Sequence, residues 1–312
     1  MVAPMHATLR QLQIFEAIVR NGGVTAAARE LHCTQPTVSI QLRQLADQVD
    51  MPLFDGGTRE LRLTEAGHAL YKACKLMAGA WDDFETHIHD LKGLSKGRLR
   101  ISVVSTAKYF IPRLLGPFCK TYPGIDVNIE VANRQRIVER LREGLDDLAF
   151  MSRPPEDMPL DVKPFMDNPL VLIAPLSHPF ANKKIVRLNE LGGERMLLRE
   201  PGSGTRLAID EFFSRTKTEF TVKMEIGSNE AIKQAVEGGL GISIISRHTL
   251  RASKGITEIN CEGLPIHSTW NVVSFADRPL SLIAQKFVQY ILDDGLHLLT
   301  QIKSSMEERQ EF

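Results

Sequence analysis

The chain has 312 residues, enough for two or three domains that each bury an apolar core of their own. Its 38 basic and 38 acidic residues cancel, so no global field argues for nucleic acid or an anionic membrane, and any such role must rest on local pattern. The first residues lack the charged stretch and apolar core of a signal peptide, and no apolar run approaches the roughly 18 residues that span a bilayer, which predicts a cytoplasmic protein without membrane partners.

Leu9, Leu12, Phe15, Ile18 and Val19 recur at helical spacing and stop at Asn21-Gly22-Gly23, a helix-ending turn. Thr25 is expected to cap a short second helix, whose Ala26, Ala27, Ala28 and Leu31 let a neighbouring helix approach closely. After His32-Cys33, Thr34 reads as the N-cap of a third helix with Pro36 in its first turn, where a missing N–H costs nothing. The inward stripe of that helix is Val38, Leu42, Leu45 and Val49. Thr34, Gln35, Pro36, Thr37, Ser39, Ile40 and Arg43 remain outside, and their hydroxyls, amide and guanidinium suit the reading of base edges.

Leu53-Phe54, Asp55-Gly56-Gly57-Thr58 and the alternation Glu60-Leu61-Arg62-Leu63 predict a hairpin wing. A short turn, a polar-tipped helix and a wing form a unit that lays a helix N-terminus in the major groove of double-stranded DNA. The segment from Leu9 to Gly67 resembles the LysR-type DNA-binding domain, on Ala26-Ala27-Ala28, Thr34-Gln35-Pro36-Thr37-Val38-Ser39, Pro52-Leu53-Phe54 and Leu63-Thr64-Glu65-Ala66-Gly67. It departs from the family at Gly56 and Ile40, where an Arg is usual or common. Residues 1–66 hold six Arg, no Lys and seven acids, so phosphates must be held by helix N-termini, hydroxyls and single residues such as Arg59 and Arg62 rather than by a broad positive face. A protein-interaction module is the competing reading of such a helical unit.

Thr64 can cap a helix running to about Lys92. Its Leu70, Cys74, Met77, Trp81, Phe84, Ile88 and Leu91 step alternately by four and three, a heptad seam about four heptads and roughly 40 Å long that seeks an equivalent partner. It resembles the linker helix through which LysR-type proteins dimerise; packing on the chain's own C-terminal domain is the alternative.

Beyond Gly93-Leu94-Ser95-Lys96-Gly97, short β-branched strands alternate with amphipathic helices, which makes the rest α/β. Strands are predicted at 98–104, 126–131, 148–151, 170–174, 195–198, 220–226, 241–245 and 270–275, with helices at 110–122, 135–143 and 281–292 and after Gly204 and Asn229. The last strand and helix are expected to return to the first subdomain, giving two crossings of a hinge. This arrangement resembles the periplasmic-binding-protein-like effector domain of LysR-type regulators. The chain therefore divides into a winged helix-turn-helix over 1–66, a linker helix over 67–92 and an effector domain over 93–312. Subdomain I of the latter covers about 98–168 and 270–300, and subdomain II about 169–269.

In open α/β folds ligands sit where strand C-termini meet helix N-termini. Ser105-Thr106, Gly202-Ser203-Gly204-Thr205-Arg206 and Gly227-Ser228-Asn229-Glu230 join small residues to hydroxyl or amide groups at such places, although each alone could be an ordinary cap or turn. The stretch Val103 to Phe110, the Arg153-Pro154-Pro155 turn and the loop Arg199 to Arg206 resemble the CbbR group, LysR-type regulators of carbon-fixation operons. That resemblance implies a phosphorylated or carboxylate effector. Lys108, Arg134, Ser152, Arg153, Arg199 and Arg206 then join Ser105, Thr106, Ser203, Gly204, Thr205 and Asn229 as candidate contacts.

No G-x-S-x-G, nucleotide fingerprint, paired-carboxylate signature or metal-ligand spacing points to an enzyme, a cofactor or a metal. The scattered Cys33, Cys74, Cys119 and Cys261 read as packed thiols, with a Cys119–Cys261 redox pair as the competing reading. A DNA-binding regulator of carbon-fixation genes, dimeric or a dimer of dimers on dyad-symmetric sites and working with RNA polymerase, is the expectation. A LysR-type regulator of sulfur, nitrogen or aromatic metabolism and a cytoplasmic solute-binding protein are the alternatives.

Overall fold

The computed structural model describes residues 7–55, 61–91, 97–250 and 255–295. They form two compact units: residues up to Glu85 with Glu143–Leu145, and Thr86–Arg142 with Asp146 onwards.

The first unit opens with α1 (Leu9–Asn21), begun by a reciprocal cap in which the Thr8 hydroxyl accepts from Gln11 N and the Gln11 side chain accepts from Thr8 N; Gly22, at φ 70°, ends it. Helix α2 (Val24–Glu30) starts from Gly23 without a side-chain cap, so Thr25 lies within the helix and is not the cap expected of it. Helix α3 (Gln35–Val49) is capped by Thr34, and its Val38 and Leu45 are fully buried. Val49 does not complete the inward stripe: it ends the helix and stands exposed beside the left-handed Asp50. Of the wing, residues 56–60, including Gly56 and Arg59, lie outside the described residues, but Phe54 bridges Leu63 in antiparallel fashion and Asp55 N donates to Arg62 O.

Helix α4 (Glu65–Leu91) begins after Thr64, whose hydroxyl accepts from Gly67 N and donates to Pro52 O. A Cβ on Gly67 would come within 2.1 Å of Leu53 O, so only glycine lets the helix lie this close to the 52–54 turn. The seam divides along its length: Leu70, Cys74 and Met77 pack with Leu12, Phe15, Leu45 and Leu53 in the core of the first unit, whereas Trp81 and Phe84 are more than half exposed, with ring centroids 5.5 Å apart. The first half of the expected dimer stripe therefore has an intrachain partner. Ile88 is half-buried.

The second unit contains β1 (Gly97–Val104), α5 (Ile111–Thr121), β2 (Ile125–Ala132), α6 (Arg134–Arg142), β3 (Leu148–Met151), β4 (Leu160–Asp167), β5 (Leu170–Pro175), β6 (Arg195–Arg199), α7 (Gly204–Thr216), β7 (Thr221–Ile226), α8 (Asn229–Glu237), β8 (Ser243–Ser246), β9 (Ile256–Ile259), β10 (Thr269–Phe275) and α9 (Leu282–Tyr290). One five-stranded sheet runs β2-β1-β3-β10-β4, with β1 parallel to β2 and β3 and β10 antiparallel to both its neighbours. The antiparallel β8-β5-β9 and the parallel pair β6-β7 form the other half. Strands β4 and β9 were not expected. Pro164 and two acids interrupt β4, which a sheet edge tolerates, and β9 has only four residues.

The chain passes between the halves twice. At the crossing Asn168 N donates to Ser268 O, and Leu170 and Ile266 exchange backbone hydrogen bonds. Each half has its own core: Leu99, Ile101, Phe118, Phe150 and Phe287 in the first, Leu172, Met196, Leu198, Ile209 and Ile244 in the second. Cys119 lies on α5 of the first half, while Cys261 is buried in the second core, where burial pushes its thiol up to about 11. Among the described residues no helix is long and apolar enough to cross a membrane, and no group of three or more potential ligands could hold a metal ion.

Candidate functional site

Two surfaces carry the candidate residues. At the start of α3, Gln35, Pro36, Thr37, Ser39, Ile40 and Arg43 are exposed while Val38 between them is fully buried, so burying one face fixes which groups point outward. Thr34 acts locally, because its hydroxyl lies 2.8 Å from that of Thr37 and accepts from Thr37 N at 3.4 Å, which pins the first turn. Arg62 is exposed next to the Phe54–Leu63 bridge. Arg20 is taken up by Glu16 and Glu30, and Arg10 donates to Leu31 O, so neither adds to a positive face here.

In the second unit a narrow cleft of about 20 Å³ is lined by the ends of β1 and β3, by β10, and by the starts of α6 and α7. Val104, Ser105 and Thr106 come from the first of these, Met151, Ser152 and Arg153 from the second, and Trp270 from β10. Arg134 opens α6, Ser203, Gly204 and Thr205 open α7, and Arg199 ends β6. A Cβ on Gly204 would stand 3.2 Å from Ser152 Oγ, so glycine here lets the two halves approach. Ser203 occupies the N-cap of α7 without using its hydroxyl to cap it, although it is buried.

Arg199 is 2% exposed, and its guanidinium makes four hydrogen bonds. Its Nε and Nη2 donate to the Glu200 carboxylate at 2.7 and 2.8 Å, Nη1 donates to Asn229 Oδ1 at 3.0 Å and Nη2 to Ser105 Oγ at 3.2 Å. A second link joins the halves at Glu230, which accepts from Tyr109 Oη at 2.6 Å and pairs with Lys108 Nζ at 2.9 Å. Burial pushes the Glu230 carboxyl up, but donors from Tyr109, Lys108 and Ser228 outweigh it and hold the group down at about 2.

The basic residues expected around an effector thus divide. Lys108 pairs with Glu230, Arg153 with Glu211, and Arg206 with Asp210 and Glu225. Arg134 donates its Nε to Arg153 O at 2.6 Å and has no salt bridge among the described residues. Burial, and then the charge of Arg153, lower its pKa. Lys108, Arg206 and Asn229 are not among the residues lining this cleft: carboxylates hold the first two, and Thr106 and Arg199 take up the amide of the third. Val104, Met151 and Trp270 were not foreseen; an aromatic or aliphatic residue in an apolar strand gives no sequence sign of facing a cleft.

Residues 9–68 match the family described as bacterial regulatory helix-turn-helix protein, lysR family, and residues 92–295 match the LysR substrate binding domain. The sequence is 46% identical over 290 residues to the HTH-type transcriptional activator CmpR of Synechocystis sp., covering 92% of this chain and 95% of that protein. It is 43% identical over 289 residues to the RuBisCO operon transcriptional regulator of Acidithiobacillus ferrooxidans, covering 92% and 94%. Among solved structures, the regulatory domain of Synechocystis PCC6803 CcmR in complex with 2-PG is 46% identical with a TM-score of 0.62, covering 63% of this chain and 96% of that one. Full-length CbnR complexed with its target DNA shares the fold at 21% identity and a TM-score of 0.72, over 91% of this chain and 98% of that one. With both segments matched over most of its length, this chain belongs to the LysR family of helix-turn-helix transcriptional regulators.

Proposed function

We propose that this regulator controls carbon-fixation genes and that a small anionic metabolite, bound in the cleft of the second unit, sets its activity on double-stranded DNA. In this reading residues 1–66 bind DNA, 67–92 pair the chains and 93–312 take the effector. The protein acts in the cytoplasm as a dimer or dimer of dimers beside RNA polymerase, with no cofactor and no catalytic role.

One observation supports an anion above the others. Arg134 lines the cleft as a half-buried cation with no carboxylate partner among the described residues, opposite the start of α7 and the uncommitted Ser203 hydroxyl. A half-buried guanidinium with no carboxylate within salt-bridge distance favours an anionic ligand, and the helix dipole adds to it. CcmR, whose solved complex contains 2-PG, supports a compound of this class. The remaining cleft groups then have roles: Ser105, Thr106, Ser152 and Thr205 supply hydroxyls, and Arg153 a second cation at the rim.

Effector and DNA are coupled through differential affinity. A ligand that touches both halves stabilises the closed cleft, and that shift must alter how paired helix-turn-helix units are spaced. Calorimetric titration of the full chain with 2-phosphoglycolate tests the reading. Saturable binding is expected, and Arg134→Gln should weaken it by roughly 10- to 100-fold, as for loss of one charge-assisted contact. Equal affinity in Arg134→Gln would overturn the anionic cleft.

A further inference from the structure

Trp270 reaches the lining of the cleft, is 1% exposed, and its indole Nε1 is buried without a hydrogen-bond partner among the described residues. Buried polar groups are nearly always bonded, so an orphan donor beside a binding cleft needs a reason. The ring cannot turn freely to find one. Phe110 packs edge-on against it with centroids 5.1 Å apart, and the next residue, Asn271, is tied through Nδ2 to the carbonyls of Met151 and Thr269. The indole offers a donor and no acceptor. The other tryptophan, Trp81, already donates to Glu85 Oε1.

We propose that the Trp270 indole N–H donates to an anionic oxygen of the bound effector and is a specificity-determining contact of the cleft. The inference rests on the cleft being the effector site and adds a residue to it that shares the lining with Arg134 and the start of α7. A fixed donor of this kind selects phosphate or carboxylate oxygens and rejects a ligand presenting only donors at that point. Trp270 also stands just past the second crossing between the halves, so a ligand bonded to it holds the strand that leads out of the hinge.

The full chain labelled with 15N-tryptophan gives two indole resonances, and Trp81→Phe leaves the one from Trp270. Saturating 2-phosphoglycolate should move the Trp270 resonance downfield and slow its exchange with solvent. Trp270→Phe should bind the same compound about tenfold more weakly, the size expected for one hydrogen bond to a charged acceptor. If calorimetry records binding while the Trp270 resonance stays in place, the inference fails and the cleft reading stands; this measurement needs no substitution at Trp270. If neither 2-phosphoglycolate nor inorganic phosphate binds the wild-type chain, the cleft reading fails and takes the inference with it.

Discussion

Asn229 Nδ2 donates to Thr106 Oγ1 at 3.0 Å, and because both residues are buried this single bond fastens the start of α8 to the segment after β1. The bond joins the two halves of the second unit. Thr106→Val keeps the shape but removes the acceptor, stranding a buried amide donor at a cost of about 1–3 kcal/mol. The expected outcome is a lower thermal midpoint of the second unit together with weaker 2-phosphoglycolate binding, whereas Thr106→Ser retains both. Scanning calorimetry and titration on the same samples check this. An unchanged midpoint in Thr106→Val would show that the bond contributes nothing to closure.

Glu230 predicts a specific pH dependence. Its folded pKa, about 2, lies below the ordinary 4.5, so its contribution to stability is complete above about pH 4.5 and fades as pH falls through the folded value. The groups facing it are Tyr109 and Lys108 from the first half and Ser228 beside it, with Lys233 on the next turn of α8. Glu230→Gln should therefore lose stability mainly at neutral pH, so that the difference from wild type narrows between pH 4.5 and 2. Thermal unfolding across that range measures it. A difference that stays constant with pH would remove the carboxylate from the latch.

Much of the first unit was legible because its signals are local. The Thr34 cap and the Val38 and Leu45 spacing each act within a turn or two of chain, and the glycine at position 67 meets Leu53 only fourteen residues back. Val49 departs from its stripe because periodicity does not say where a helix runs out of neighbours, and Thr25 is no cap because α2 already starts from Gly23, before a hydroxyl at that position could serve. The cleft was half legible. Ser105, Thr106 and the Ser203 to Thr205 loop follow from where strands end and helices begin. The sorting of cations was not, since the carboxylates that hold Lys108 and Arg153 come from α8 and α7, far along the chain.

The linker helix separates two kinds of apolar residue. Trp81 and Phe84 are exposed at 56% and 52%, whereas Met77 packs in the first unit's core. Asp at both exposed positions places like charges in a symmetric seam and should divide the oligomer without unfolding the first unit. Met77→Asp should instead destabilise that unit, by about 2 kcal/mol or more for a carboxylate set among apolar neighbours. Sedimentation velocity paired with thermal unfolding distinguishes them. Retention of the native oligomer by the Trp81→Asp, Phe84→Asp variant would place the main contact between chains elsewhere.

Base reading and phosphate anchoring should separate at the start of α3. Gln35 and Ser39 are exposed on either side of the buried Val38, on a first turn held by the Thr34–Thr37 hydroxyl pair, so their side chains project from a rigid helix end. An amide can make paired hydrogen bonds to one base edge, and its loss costs about 1–3 kcal/mol on the correct base and little on the wrong one. Gln35→Ala and Ser39→Ala should therefore flatten discrimination between the operator and random DNA. Arg62, exposed beside the Phe54–Leu63 bridge, suits a phosphate, and phosphates are the same in every sequence. Arg62→Ala should weaken both DNAs alike and reduce the salt slope of binding by about one ion. Fluorescence-anisotropy titrations of each variant on both DNAs at several salt concentrations measure the two effects. Parallel losses on both DNAs for Gln35→Ala and Ser39→Ala would mean that α3 anchors rather than reads, and operator choice would then have to come from DNA shape.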